Sequence, residues 1–370
     1  MRIINRLFFM IVCIALMLFI FMFFDDIKMF FFANEMNNKE IVNQQFQKES
    51  QYSYHYSKCN EDEKVVYRHL YYAFVNHDEE IETKSIDKSQ ISQVYNRILD
   101  DHPEIYYIQK IAYSQKRTTL LFKIQYRYNK EEVENYNQKL SQETSKIIQK
   151  ARQEKDKILQ IKLIYDYLID TVSYQNHTND QNIISALLDH QSVCSGYARS
   201  YQYLLKQIGI ESAYMSGEAL QGESNSHAWL MIYLYNDYYY SDVTWGDHSG
   251  NMEHACYAYF LMNSDDMLRS YQPDSYYEKT IKNQINYYQN IGCYMTKYDY
   301  DLVGQAVKKA KHNKVHVIEI KCANDQVYQT LKDKAENTYL IYNVLTEYHC
   351  YDKKSLYSYN EQQRIIEFSY

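Results

Sequence analysis

The stretch from His227 to Trp245 constrains the fold of this chain more than any other. It reads as two strands, His227–Tyr235 and Tyr238–Trp245, joined by a tight turn into an antiparallel hairpin. Side chains alternate between the two faces of a strand, so the pairing register decides which residues can meet. With Asn236-Asp237 as the turn, Asp242 stands opposite Met231, about 13 Å along the strand from His227 at roughly 3.3 Å per residue. With Tyr235-Asn236 as the turn, Asp242 stands opposite Trp229 and is a diagonal neighbour of His227. Their backbones are then about 7–8 Å apart, a gap two side chains can span. Both registers put His227 and Asp242 on one face. We expect the second, with Asn236 in the left-handed conformation that Asn tolerates better than most residues. Pairing of Asp242 with Met231, without a bulge, would exclude a bond between His227 and Asp242.

Upstream lies Ser192-Val-Cys194-Ser-Gly196-Tyr-Ala198. Tyr197, Tyr201, Leu204, Leu205 and Ile208 share one helical face, and Gly209 is placed to stop that helix. Cys194 is then expected at or near a helix N-terminus, with Ser192 as the cap. The helix dipole there favours a thiolate, which is the nucleophilic form of cysteine. Gly196 permits close approach of another backbone or of a substrate. Taken singly, each of these residues reads more readily as structural. Taken together, Cys194, His227 and Asp242 supply a nucleophile, the base that takes its proton and returns it to a leaving amine, and the carboxylate that fixes the tautomer of that base. The backbone N–H of Cys194 is the natural first oxyanion donor. Tyr174 is the candidate for a second, carried over the site by the preceding helix; its alternative role is a core tyrosine. Trp229 and Trp245 are the only two tryptophans and flank the three residues. They either wall a groove for an extended acyl donor or fill the core.

Three pieces in this order, Val193-Cys-Ser-Gly-Tyr-Ala198, His227-Ala-Trp229 and Asp242-Val-Thr-Trp245, followed by Tyr259-Phe-Leu261 and Asp265-Asp266-Met267, resemble the transglutaminase-like core of bacterial surface and secreted proteins. The resemblance runs from about Ile158 to Met267. It implies a papain-like α+β fold, with the cysteine on a helix packed against an antiparallel sheet that carries the histidine and the aspartate. It also implies attack on an amide carbonyl, a thioester on Cys194 and transfer of the acyl group to an amine or to water, with no cofactor. The chain departs from the family pattern at Leu230, where Asn is common, at Asn236, where Gly is common in the turn, and at Gln191 and Ser192, where small residues often precede the Val-Cys pair.

The rest of the 370 residues reads as a carrier for this site. The net charge is −7, from 40 basic and 47 acidic residues, which argues against nucleic acid as a partner because no basic stripe is present. Seven cysteines are scattered without a CxxC pair, so neither a disulfide scaffold nor a zinc ribbon is indicated. The spacing of His248, His254 and Cys256 fits no standard zinc site, and no metal is expected. Residues 7–24 are an unbroken apolar run with Arg2 and Arg6 before it and Asp25 and Asp26 after it. That is long enough to span a bilayer, and the positive flank places the bulk of the chain outside the cytoplasm. A cleaved signal peptide is the competing reading, disfavoured by the lack of a small-x-small site. Five regions follow: an anchor or signal over 1–24, a polar stalk over 25–57, an α+β domain over 58–152, the transglutaminase-like core over 153–295, and an α+β domain over 296–370. The expected partners are the membrane, through the first segment, and a peptide or protein substrate at the cell surface.

Overall fold

The computed structural model describes Phe46 and residues 53–221, 226–247, 255–349 and 356–369. The apolar run 7–24, His248 and His254 lie outside the described residues. Among these no helix is long and apolar enough to cross a membrane. The chain divides into two compact units, residues 1–141 and 142–370. The division falls inside the helix Lys130–Gln153, and residues 296–370 share a unit with the core.

In the first unit, the helix Glu61–Asn76 starts on a capping box. Asn60 accepts the N–H groups of Asp62 and Glu63, and Glu63 returns to the Asn60 N–H at 2.8 Å. The helix Lys88–Asp101 follows and stops just before Pro103. Its sheet has strands β1 (Glu80–Lys84), β2 (Ile108–Gln115) and β3 (Thr119–Tyr126) in the order β1-β3-β2, all antiparallel. The short charged strand β1 carries too few apolar residues to announce itself in the sequence.

The second unit holds the core. Strands β4 (Ser173–Tyr174) and β5 (Gln191–Ser192) form a small parallel pair just ahead of the helix Cys194–Gln207. That helix buries Tyr197, Tyr201, Leu204 and Leu205 completely. Each such leucine contributes about 2 kcal/mol of transfer free energy. The helix packs against the sheet β8-β7-β6-β9, formed by β6 (Ser212–Ala219), β7 (Ser226–Leu234), β8 (Asp237–Ser241) and β9 (Tyr271–Pro273). The turn between β7 and β8 is Tyr235-Asn236, both with positive φ (53° and 59°), and Leu230 pairs with Ser241. This is the expected register. Two left-handed residues in succession match the twist of the flanking strands.

Beyond β9, strand β10 (Tyr294–Met295) pairs in parallel with β11 (Val317–Cys322) at the edge of a second sheet, completed by β12 (Leu356–Asn360) and β13 (Ile365–Ser369) in the order β10-β11-β13-β12. Two apolar stretches of this unit are not strands. Residues 338–349 form a helix, Leu340–Glu347, because Leu340, Ile341, Val344 and Leu345 lie on one helical face and are all buried there. Residues 257–263 form a turn, with one bridge between Tyr240 and Met262 and Leu261 at φ 48°.

The helix Lys157–Thr171, capped by Asp156, fixes the exit of β8 through Tyr165, whose hydroxyl lies 3.1 Å from the Asp242 carbonyl and 2.9 Å from that of Cys256. Gly246 sits against the same hydroxyl. A Cβ on Gly246 would stand 1.9 Å from it. Gly246→Ala is therefore expected to destabilise the protein by about 1–3 kcal/mol, the usual cost of overpacking a core. Thermal denaturation of the variant measures it.

Candidate active site

His227 lies at the start of β7, opposite Gly217 of β6, and Trp229 two residues on faces the same side. Asp242 is expected within a strand, but β8 ends at Ser241. Asp242 instead caps the short helix Val243–Gly246. Its Oδ1 accepts the N–H groups of Thr244 (2.9 Å) and Trp245 (3.1 Å). Its Oδ2 accepts from His227 Nε2 at 2.7 Å and from the Tyr271 hydroxyl at 2.6 Å. The carboxylate is wholly buried and every oxygen is bonded. Its orientation is fixed from the backbone as well as from the histidine.

With Nε2 committed to Asp242, the other ring nitrogen faces the cysteine: His227 also hydrogen-bonds the Cys194 thiol. Burial lowers the affinity of the ring for a proton, but the charge and hydrogen bond of Asp242, with the bond to Cys194, outweigh it and raise the His227 pKa to about 10. The ring is stacked parallel to Tyr271 (5° between planes, centroids 5.7 Å apart) and packs at 5.0 Å from Trp245.

Cys194 is the first residue of its helix, as expected, and is partly exposed. The cap is Val193 and not Ser192, and it offers no side-chain bond to the helix. Ser192 is buried, donates to the Asp180 carbonyl at 2.8 Å and meets Ser185 at 3.0 Å. The N–H groups of the first turn at the thiol end are thus not satisfied by a cap side chain. The other described cysteines are buried: the Cys322 thiol is pushed up to about 12 and that of Cys293 to about 11, by burial first in each case. Burial also pushes the Cys256 thiol well above its ordinary value.

The remaining candidates separate. Gly196 faces other parts of the chain, since a Cβ there would lie 2.0 Å from Ser192 Oγ and 2.6 Å from the Asp180 carbonyl. Its role is tight seating of the nucleophile helix. Trp229 is 1 % exposed and stacks on Tyr271 at 4.6 Å, so it is a core residue behind the histidine. Trp245 is partly exposed and covers the histidine ring. Tyr174 is half exposed, and its hydroxyl is within hydrogen-bonding reach of the Cys194 N–H. The strand pairing of β4 with β5 brings it there, rather than the preceding helix. Tyr271, which completes the shell of Asp242, is a residue that sequence reasoning misses. It lies outside the three motifs, and only the pairing of β9 with β6 (Ala219 with Tyr271) brings it in.

Residues 144–245, which include Cys194, His227 and Asp242, match the model of the transglutaminase-like superfamily. Among solved structures, a TGase is similar over 48% of this chain and 53% of its own length, at 12% identity and a TM-score of 0.27. A candidate cysteine protease from Cytophaga hutchinsonii is similar over 36% of this chain and 61% of its own, at 12% identity and a TM-score of 0.25. A candidate protease from Parabacteroides distasonis is similar over 36% and 35%, at 10% identity and 0.21. The chain covers less than two thirds of each. Among curated proteins, none matches.

The folded state binds the His227 proton more tightly than the unfolded chain does. The stability it contributes is complete below about pH 6.5 and is lost as pH rises from there through about 10. In an NMR titration of the imidazole the transition is expected near 10, and Cys194→Ala, which removes one of the raising partners, should move it down. A wild-type transition near the ordinary histidine value would contradict the assignment.

Proposed function

Taking residues 144–245 as a transglutaminase-like core, we propose that the chain is a thiol enzyme that attacks amide carbonyls of peptides or proteins and carries the acyl group on Cys194. The observation that supports it most is the 2.7 Å bond from His227 to a fully bonded, buried Asp242, with the cysteine at a helix start on the other side of the ring. Asp242 and Tyr271 hold the ring in one tautomer, and His227 as imidazolium stabilises the thiolate beside it. The thiolate adds to the carbonyl carbon. The oxyanion is received by the Cys194 N–H and by the Tyr174 hydroxyl, which then donates to it. His227 delivers its proton to the leaving nitrogen, the C–N bond breaks, and a thioester remains. An amine or a water, deprotonated by His227, then releases the acyl group and regenerates the thiol. Transfer and hydrolysis share every step up to the thioester and part at the acceptor.

The apolar run 7–24 and its flanking charges support a placement outside the cytoplasm on a membrane anchor, with peptides or proteins of the cell surface as substrates.

Two measurements test the reading. Iodoacetamide near pH 6 should alkylate Cys194 at least about tenfold faster than Cys322, and equal rates would defeat the activated thiol. With a glutamine-bearing peptide, Asp242→Asn is expected to lower kcat by about 10²–10⁴-fold, the usual worth of acid–base catalysis. Product analysis with and without added amine then separates crosslinked product from hydrolysed product.

A further inference from the structure

Strands β11, β13 and β12 lie side by side, and one cross-strand row carries Glu319, Glu367 and Ser358. Residues directly opposite on antiparallel strands have Cβ atoms about 4.5–5.5 Å apart, and like charges placed so destabilise a sheet. Both glutamates are buried, at 8% and 6% exposure. The row lines a pocket of about 370 Å³ whose other wall is Thr244, Trp245 and Asp247, the turn that follows Asp242.

The buried polar atoms of this pocket without a hydrogen-bonding partner include Glu319 Oε1, Thr244 Oγ1 and Gln221 Nε2. Glu319 accepts the Tyr288 hydroxyl (2.9 Å) and the Tyr257 N–H (3.2 Å) on Oε2 and also hydrogen-bonds the Cys256 thiol, while its Oε1 is buried among the atoms without a partner. The hydroxyl of Thr244, 7% exposed, is likewise buried and unbonded. Leaving a buried acceptor unsatisfied costs about 1–3 kcal/mol, and more when it is charged. Among the described residues no group of three His, Cys, Asp or Glu side chains is arranged to hold a metal ion. A ligand that matches these walls is cationic, donates several hydrogen bonds from one small head, and has an apolar tail to lie on an indole face. An ammonium group on an alkyl chain has all three properties.

We propose that this pocket binds a primary alkylammonium group, with its head on the Glu319–Glu367 pair and Thr244 and its chain along Trp245, beside His227. The purpose of the pocket rests on the acyl-transfer reading above; its affinity for the cation does not. Such a group reaches the site either as the acceptor amine or as a basic side chain of the acyl-donor peptide.

Isothermal titration of the full chain carrying Cys194→Ala tests the binding, with n-pentylamine as probe and 1-pentanol as its neutral counterpart. Pentylammonium should bind saturably and at least about tenfold more tightly than pentanol, and Glu319→Gln should weaken it by about tenfold or more. The thermal midpoint of that variant should hold or rise, because the amide removes a like-charge contact. Amine and alcohol binding equally, or an affinity unmoved by Glu319→Gln, overturns the proposal. If that variant does not fold, Thr244→Val takes its place with the same expected direction, and an unmoved affinity has the same force. Because Cys194 is absent, loss of the acyl-transfer reading leaves this readout intact, and iodoacetamide reactivity reports on that reading separately. In the active enzyme, Glu319→Gln raises KM for added pentylamine if the cation is the acceptor. It raises KM for a lysine-bearing donor, and not for a lysine-free one, if the cation belongs to the donor. A KM that moves in neither case overturns the pocket as a substrate site.

Discussion

The candidate-site end of the fold depends on how Asp242 is bonded. Its carboxylate accepts four hydrogen bonds, two from backbone N–H groups of the short helix it caps and two from the side chains of His227 and Tyr271. A buried carboxylate without such partners would be costly, and losing one partner would leave an uncompensated buried charge. The same bonds that make its burial tolerable also fix where it points. The orientation of the carboxylate and local stability therefore have one cause, and the imidazole inherits its position from both.

Around that carboxylate the fold is arranged in rings of aromatic side chains. Tyr271 lies parallel to His227, Trp229 stacks behind Tyr271, and Trp245 covers the imidazole from the open side. Flat faces at these distances shield the His227–Asp242 bond, and a hydrogen bond in such low-dielectric surroundings is electrostatically stronger than in water. The Tyr165 hydroxyl, from a different helix, meets the carbonyls of Asp242 and Cys256, so the turn after β8 is held from two sides. Gly246 has no side chain because that hydroxyl occupies the space.

The C-terminal strands extend this arrangement. The row of Glu319, Glu367 and Ser358 lines the pocket whose opposite wall is the Trp245 turn. Nearby, Asp266 is held by Lys321 at 2.9 Å and by Arg364, and Gln363 bonds the Asp266 carbonyl, so the second sheet is fastened to the core by buried polar contacts. A sheet attached that way is a rigid wall for the pocket, in contrast to a tethered appendage.

Much of the site was legible in the sequence because its parts are local. The helix start at Cys194 follows from the apolar face Tyr197–Leu205, and the common face of His227 and Asp242 follows from strand parity and a turn that Asn236 tolerates. Those are properties of short stretches, set by backbone geometry that the nearest residues control. The cap at Val193, the end of β8 before Asp242, the buried place of Trp229 and the helix over 340–347 were not legible. Each is decided by what packs against it, and the competing local preferences are nearly equal. Tyr271 and the Glu319–Glu367 row are further still from the sequence: neither lies in a motif, and only strand pairing between distant segments puts them beside the histidine and its covering tryptophan. The sequence by itself determined which residues are candidates for chemistry and on which face they stand. Tertiary structure decided what holds them and what else reaches them, because burial and cross-strand contact arise only when remote segments meet.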